Sequence, residues 1–210
     1  MQLEKIEFRK CIPQDMDKAV PLIYSSGPDA FSYVFKNHKS SAIDFLRYAF
    51  QRRGGEFSYD NHFGVILNDE LVGVGSYFDG KRAISFIRKD FITILNFYKR
   101  NSLAVMFRGL KTEQILRPPK KNEICIAHLS ISPKQRSLGL GRKLISFLMN
   151  EANPKSNNYF VLDASEENPR AQSLYERLGF KVIKCEYSKL KNDYGHVANH
   201  FRMKYIGSVS

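Results

Sequence analysis

Residues 136–141 read Arg-Ser-Leu-Gly-Leu-Gly and stand between an apolar run at 124–131 and an amphipathic run at 140–152. The apolar run predicts a buried strand, which Pro133 ends, and the amphipathic run predicts a helix. Glycine lets the backbone approach a ligand closely, and the first N–H groups of a helix lack intrahelical partners. The pattern therefore predicts a turn that binds a phosphate or diphosphate. It has neither the GxGxxG spacing of a dinucleotide fold nor the Lys-Ser/Thr of a P-loop.

A second pattern lies in residues 168–180, which read Asn-Pro-Arg-Ala-Gln-Ser-Leu-Tyr-Glu-Arg-Leu-Gly-Phe. It predicts a helix over 169–178, with Pro169 in its first turn and Gly179 as its C-terminal stop. Predicted strands at 159–164 and 180–187 flank this helix. The two patterns therefore belong to successive strand–turn–helix units.

Taken together, these residues resemble the GNAT acetyltransferases. The family's cofactor motif R-x-x-G-x-G and its following signature N-x-x-A-x-x-L-Y-x-x-x-G-F are both matched, in that order. The resemblance implies an α/β (α+β) fold with a central, mixed, mostly antiparallel sheet of about seven strands flanked by helices. It also implies an acyltransferase that moves an acetyl group from acetyl-CoA, as cosubstrate, to a primary amine in a ternary complex, without a metal.

The resemblance also implies roles for individual residues. The strand backbone at Leu129, Ser130 and Ile131 is expected to pair with the pantetheine arm of coenzyme A. Asn168 is expected to contact that arm, and Tyr175 is expected to protonate the departing thiolate, although it could instead be a core aromatic. The coenzyme A diphosphate is expected to contact the turn residues Arg136, Ser137, Leu138, Gly139, Leu140, Gly141 and Arg142.

The general base is less well defined by the sequence. Cys125 occupies the place where the family most often carries an acid. Glu123 lies two residues earlier, on the same strand face, and is the predicted base, acting through water; a surface carboxylate at the strand end is the alternative. The same period of two puts His128 on the opposite face, which predicts a core histidine. Asp163, at the end of the next strand, either lines the cleft or caps a turn.

The rest of the chain predicts a single domain over residues 1–210. Further strands are predicted at 5–11 and 196–205, and helices at 15–24 and 41–53. Apolar runs at 62–67 and 71–78, separated by Asn68-Asp69-Glu70, predict a β-hairpin. The aromatics Phe31, Tyr33 and Phe35 either line an acceptor pocket or belong to the core.

Residues 81–121, which we call the insertion, depart from the resemblance, because the family usually joins its third and fourth strands by a short hairpin. The insertion carries 11 basic and 2 acidic residues, which accounts for most of the chain's net charge of +12. Its pattern predicts amphipathic helices over 81–117, with Ile87, Phe91, Ile94, Leu95 and Tyr98 on one face. That face is expected to be buried in the domain's core, in a homodimer interface, or on a membrane surface.

Composition bears on the state of the thiols, the location of the protein and its partners. Three widely spaced cysteines predict reduced thiols rather than disulfides or a zinc site, and the absence of a long apolar run predicts a cytoplasmic protein. No nucleic-acid-binding motif accompanies the basic residues, so no nucleic-acid partner is expected. A small-molecule amine is the favoured acceptor. A protein or peptide amine, and a noncatalytic sensor that retains coenzyme A, are the alternatives.

Overall fold

The computed structural model describes residues 5–207 as helices packed around one seven-stranded sheet. The strands are β1 (Ile6–Lys10), β2 (His62–Leu67), β3 (Glu70–Asp79), β4 (Glu123–Ile131), β5 (Tyr159–Ser165), β6 (Phe180–Glu186), β7 (Lys191–Asn192), β8 (Gly195–His196) and β9 (His200–Tyr205). The sheet order is β1-β2-β3-β4-β5-β9-β6, while β7 and β8 form a separate two-stranded ladder. Only β4 and β5 pair in parallel, which confirms the predicted mixed, mostly antiparallel sheet.

Seven helices cover the sheet: α1 (Met16–Ser25), α2 (Pro28–Phe35), α3 (Ala42–Phe50), α4 (Gly80–Tyr98), α5 (Ser102–Thr112), α6 (Leu140–Glu151) and α7 (Pro169–Arg177). The predicted hairpin is confirmed, since Asn68 and Asp69 adopt positive φ angles of 50° and 65° at its tip. No helix among residues 5–207 combines the length and apolarity that crossing a membrane requires.

Three predictions about these elements are corrected. Helix α2 is not among the predicted helices, because Ser25-Ser26-Gly27-Pro28 is typical of a loop, whereas Pro28 is the first residue of the helix. The predicted last strand at 196–205 is shorter and begins at His200, after the β7–β8 ladder. The predicted apolar face of the insertion is not uniformly buried: Tyr98 is, but Ile87 and Phe91 are 56% and 50% exposed. Helix α4 instead packs through Ala83, Phe86 and Thr93.

The point where β4 and β5 meet is held by a buried ion network. Arg202 of β9 donates to Glu123 at 2.8 Å and to Asp163 at 2.7 Å. All three side chains are largely buried, with exposures of 9%, 6% and 13%. The network therefore joins the first residue of β4, the end of β5 and the middle of β9.

We expect Arg202→Leu to destabilise the fold by about 3–5 kcal/mol, because it leaves two buried carboxylates without their cation. Lys184→Met is the matched control, since Lys184 is half-exposed in its ion pair with Glu186 and its loss should change stability by about 1 kcal/mol or less. Urea unfolding measures both. A similar, small effect of the two substitutions would contradict a structural role for the network.

Candidate functional site

Strands β4 and β5 separate shortly after they meet. Their parallel pairing covers Glu123–Tyr159, Ile124–Phe160 and Cys125–Val161, and within residues 5–207 no later pair joins them. On its other side, β4 stays paired with β3 as far as Ile131. The edge of β4 that faces the gap therefore offers backbone groups to an extended ligand arm, as an added strand would.

The predicted phosphate turn lies at the open end of this gap. Ser137 and Gly139 adopt positive φ angles of 71° and 73°, and Gly139 is the N-cap of α6. The turn is exposed, and a Cβ built on Gly139 would meet nothing within 4 Å. The first N–H groups of α6 therefore lie at an exposed turn and carry the partial positive charge of a helix N-terminus.

Side chains around the turn fix its position. Arg136 donates to the Ile131 carbonyl at 3.3 Å, and Arg170 of α7 donates to the Ser137 hydroxyl at 3.1 Å. A Cβ on Gly141 would lie 3.3 Å from Leu174, so the glycine permits close packing of α6 on α7. The donors, the charge and the free space fit a diphosphate. Leu138 and Arg142 are exposed beside the turn, and Leu140 is buried.

The other predicted cofactor residues have distinct environments. Asn168 caps α7, with its side-chain oxygen accepting from the Ala171 N–H at 3.1 Å. The Ser130 hydroxyl lies 2.7 Å from that of Ser25, which ties β4 to the end of α1. Leu129 lines the cavity described next.

A cavity of about 490 Å³ opens beside this gap. Its walls come from α2, the loop after α3, the two helices of the insertion, β4 and α7, and they are mainly apolar. This volume falls within the range of small-molecule pockets, roughly 300–1,000 Å³. The aromatics Phe31 and Phe35 line it, whereas Tyr33 belongs to the core beside it.

Tyr175 reaches the cavity from α7 and is 8% exposed. Burial raises the pKa of its hydroxyl to about 12, so the group is protonated at neutral pH. Within residues 5–207 the hydroxyl has no hydrogen-bond partner, which leaves its proton available to a ligand.

A β-bulge turns His128 into the same cavity. The pairing of β3 with β4 shifts between Val74–Ser130 and Ser76–Ala127, so two residues of β4 oppose the single residue Gly75. His128, one of the two, has a φ of 54°. The prediction that His128 points away from the Cys125 face is therefore wrong, because the bulge breaks the period of two: both residues line the cavity.

The tautomer of His128 follows from its neighbours. His62 Nδ1 lies 2.8 Å from the Ser58 carbonyl, which only accepts, so this nitrogen carries the proton. Burial lowers the pKa of His62 to about 4 and, with His62 beside it, that of His128 well below the ordinary value, so both rings are neutral. His62 Nε2 accepts from His128 Nδ1 at 3.0 Å. His128 Nε2 is left unprotonated, 3.5 Å from the Glu56 carboxylate.

Three carboxylates that the sequence did not single out line the cavity: Glu56, Asp90 and Glu113. Burial, reinforced by repulsion from Asp90 and Glu113, raises the pKa of Glu56 to about 8. Burial raises the pKa of Asp90 to about 7, although the Glu56 N–H donates to it, and also raises that of Glu113. No local motif marks Glu56, which precedes the buried Phe57 in a loop; only the fold brings the three acids together.

Glu123, the predicted base, does not line this cavity. Its carboxylate accepts from Arg202, from the Tyr159 hydroxyl at 3.2 Å and from the Lys120 N–H at 3.0 Å. Burial alone would raise its pKa, but the Lys120 N–H and Arg202 outweigh that effect and keep the pKa below its usual value. This geometry disfavours Glu123 as a base. Asp163 does line the cavity, but Arg202 binds it.

Known proteins share this architecture. The N-acetyltransferase from Staphylococcus aureus Mu50 superposes with a TM-score of 0.66 at 15% identity, over 94% of this chain and 99% of that chain. Diaminobutyrate acetyltransferase from Paenibacillus lautus, solved with L-2,4-diaminobutyric acid and coenzyme A, gives 0.56 at 12% identity, over 96% and 95%. The ribosomal-protein-S18-alanine N-acetyltransferase from Escherichia coli gives 0.51 at 14%, over 96% and 93%.

At these identities the superpositions show a shared fold, and no curated protein matches the chain significantly. The sequence itself provides the assignment. A model of the acetyltransferase (GNAT) family matches residues 28–180, which include the phosphate turn, the gap between β4 and β5, and Tyr175. The chain belongs to the acetyltransferase (GNAT) family and is an acyltransferase.

Proposed function

We propose that this enzyme transfers an acetyl group from acetyl-CoA to a primary amine of a small molecule, by direct attack within a ternary complex. The observation that carries the proposal is that Leu129 of β4, Asp163 of β5 and Tyr175 of α7, which lie around the gap between the two strands, line one cavity of about 490 Å³. A walled cavity of this size favours a small acceptor over a protein or peptide amine, which would need an open groove. Two fold relatives, acting on diaminobutyrate and on a ribosomal-protein alanine, do not favour either class.

Coenzyme A is held, in this proposal, by the β4 backbone from Leu129 to Ile131, by the amides of residues 136–142, and by Asn168. Bound acetyl-CoA supplies the thioester carbonyl that the amine attacks. The Leu129 N–H donates to the carbonyl oxygen as negative charge develops on it. The Tyr175 hydroxyl then protonates the sulfur, because it is buried, protonated and free of other partners.

We assign the general base to Glu56 rather than to Glu123. Glu56 lies in the cavity with Tyr175, whereas Glu123 is bound by Arg202 outside it. A base is most effective when its pKa lies near the working pH, and the pKa of Glu56 is about 8. His62 orients the ring of His128, and the unprotonated Nε2 of that ring lies 3.5 Å from the Glu56 carboxylate.

Gly139→Val should weaken coenzyme A binding by about tenfold or more, because a β-branched residue resists a φ of 73° and its side chain would fill the space before the turn. Gly54→Val is the matched control, since Gly54 has a φ of 86° but lies in another loop. Both variants should lose stability, and only Gly139→Val should lose affinity. Calorimetric titration with coenzyme A measures this. An unchanged affinity in Gly139→Val would mean that the diphosphate binds elsewhere.

Tyr175→Phe should slow acetyl transfer by about 10²–10⁴-fold while coenzyme A affinity stays nearly constant, since only a proton donor is removed. Single-turnover kinetics measure the chemical step directly, and Tyr187→Phe, at an exposed tyrosine outside the cavity, serves as control. An unchanged single-turnover rate would exclude Tyr175 as the proton donor.

A parent enzyme that binds coenzyme A yet acetylates no amine would instead support the alternative of a noncatalytic sensor.

The pH dependence of kcat/KM tests the base. A carboxylate base works only when ionised, so activity should rise with pH through about 8 and then level off. Glu56→Gln should lose this inflection and recover partly at high pH, where the free amine deprotonates by itself. Glu123→Gln, the companion variant, should keep the inflection. Loss of the inflection in Glu123→Gln alone would return the role to Glu123.

We also propose that the chain acts as a single domain that forms a homodimer through the insertion. Exposed apolar side chains on α4 and α5 support this, since burying each is worth about 1.5–3 kcal/mol. They are Ile84, Ile87, Phe91, Leu95, Leu103 and Phe107.

Light scattering at several concentrations tests the dimer. The parent should be dimeric and Phe91→Asp monomeric, because a carboxylate cannot be buried there without a partner. Ile183→Asp, at an equally exposed isoleucine of β6, is the control and should stay dimeric. A parent that is monomeric throughout would contradict the proposal.

A further inference from the structure

The cavity walls favour the binding of an apolar group. The residues that line the cavity between α2 and the insertion are mainly aromatic and aliphatic, and they continue to its exposed rim on α4 and α5. They are Phe31, Phe35, Phe57, Phe86, Phe91 and Leu110. A polar acceptor would lose hydration along these walls without recovering hydrogen bonds. An apolar body would gain from burial there.

The carboxylates in the same cavity lack a cation of their own. Glu56, Asp90 and Glu113 come from the loop after α3, from α4 and from the end of α5, and within residues 5–207 no Lys or Arg forms an ion pair with any of them. The nearest ring, His128, is neutral. Three acids gathered in an apolar space suit a cationic ligand, because such a ligand relieves their mutual repulsion.

A second, independent observation indicates a ligand at this place. Tyr175 is more than nine-tenths buried, lines the same cavity and has no hydrogen-bond partner among the described residues. The hydroxyl oxygen is not fully enclosed by protein, so it opens onto the cavity, where a ligand can bond it. The acids and the hydroxyl therefore face a common volume in which one small molecule meets both.

We infer that the acceptor is a hydrophobic monoamine: a primary ammonium group on an alkyl or arylalkyl body that carries no acidic group. The inference rests on the proposed function and specifies its substrate class. The ammonium lies among Glu56, Asp90 and Glu113, and the hydrocarbon lies against the apolar walls. Glu56 first takes one proton from the ammonium, which frees the nitrogen lone pair to form a bond to the acetyl carbon. The carbon–sulfur bond then breaks and the sulfur takes the proton of Tyr175, while the second proton lost by the nitrogen restores the Tyr175 hydroxyl.

Other amines fit this cavity poorly. An amino acid acceptor brings a carboxylate, and the one arginine in the cavity lining, Arg117, is already paired with Glu186 at 3.0 Å. The three acids would repel that carboxylate. A polyamine brings further ammonium groups, which would have to lie against the aromatic walls without water.

A series of n-alkylamines from propylamine to octylamine tests the apolar walls. Each methylene buried is worth about 0.8 kcal/mol, so KM should fall about fourfold per added carbon until the cavity is filled. Spermidine and L-2,4-diaminobutyrate should be acetylated with kcat/KM at least about 100-fold below that of hexylamine. Release of free coenzyme A thiol measures all of them. A flat series, or a preference for spermidine or diaminobutyrate, would overturn the inference.

Glu113→Gln tests the acids while keeping Glu56 in place. Because it removes one source of the repulsion that raises the pKa of Glu56, both proteins are compared at about pH 9, where Glu56 is ionised in each. We expect KM for hexylamine to rise about tenfold with kcat within about twofold, the equivalent of one charge contact of about 1.4 kcal/mol. Glu151→Gln, at an exposed residue ending α6, is the control and should match the parent. Equal KM values in both variants would overturn the role of the acids.

Calorimetry with acetyl-CoA alone distinguishes a failure of the inferred acceptor class from a failure of the proposed function. If acetyl-CoA binds and a different amine class is preferred, the inference fails and the proposed function stands. If acetyl-CoA does not bind, the proposed function fails, and the inference fails with it.

Discussion

Arg202 binds Glu123 and Asp163 at the place where β4 and β5 begin to part. Two parallel strands that separate after three residue pairs give up ladder hydrogen bonds on both facing edges. Such an opening persists only if the strands are firmly held where they still touch. The buried ion network supplies that hold, because it links β4, β5 and β9 through one guanidinium. On the far side of β4, pairing with β3 continues on both sides of the bulge as far as Ile131, while the free edge of β4 faces the gap.

The gap between β4 and β5 and the bulge at His128 together shape the cavity in which Glu56 lies. Gly75, opposite the bulge at His128, makes room for α6, since a Cβ there would lie 2.9 Å from Leu148. The bulge sends His128 into the cavity, where the chain of contacts from the Ser58 carbonyl through His62 fixes its proton on Nδ1. The neutral ring of His128 lies beside the Glu56 carboxylate and brings no positive charge to it. The pKa of Glu56 is therefore set by burial and by the other acids, and not by a histidine cation.

The parts of the fold that local sequence determines were predictable. The phosphate turn, the α7 signature and the β2–β3 hairpin are each written in fewer than about a dozen consecutive residues, with Gly, Pro or Asn at the positions that demand them. The side of β4 to which His128 points was not predictable. It depends on a register shift between β3 and β4, and no residue of β4 indicates that shift. Glu56, Asp90 and Glu113 were missed for a related reason. They are far apart in sequence, and only the packing of the insertion on α2 and α3 makes them neighbours.

The insertion is the segment in which the chain departs from the short connection expected of its family, and it contributes one wall of the cavity that we propose for the acceptor. Ile87, Phe91 and Asp90 of α4 line this cavity, as do Met106 and Leu110 of α5 and Glu113 at the end of α5. In the proposed function, coenzyme A and the proton donor belong to the sheet, the α6 turn and α7, whereas the base Glu56 lies after α3 and two acids of the insertion help to raise its pKa. The insertion would therefore influence both the fit of the amine and its deprotonation. Both acidic residues of the insertion line the cavity, whereas among its 11 basic residues only Arg117 does, and Arg117 is paired with Glu186. That division supports the proposal that the inner face of the insertion binds a cationic group.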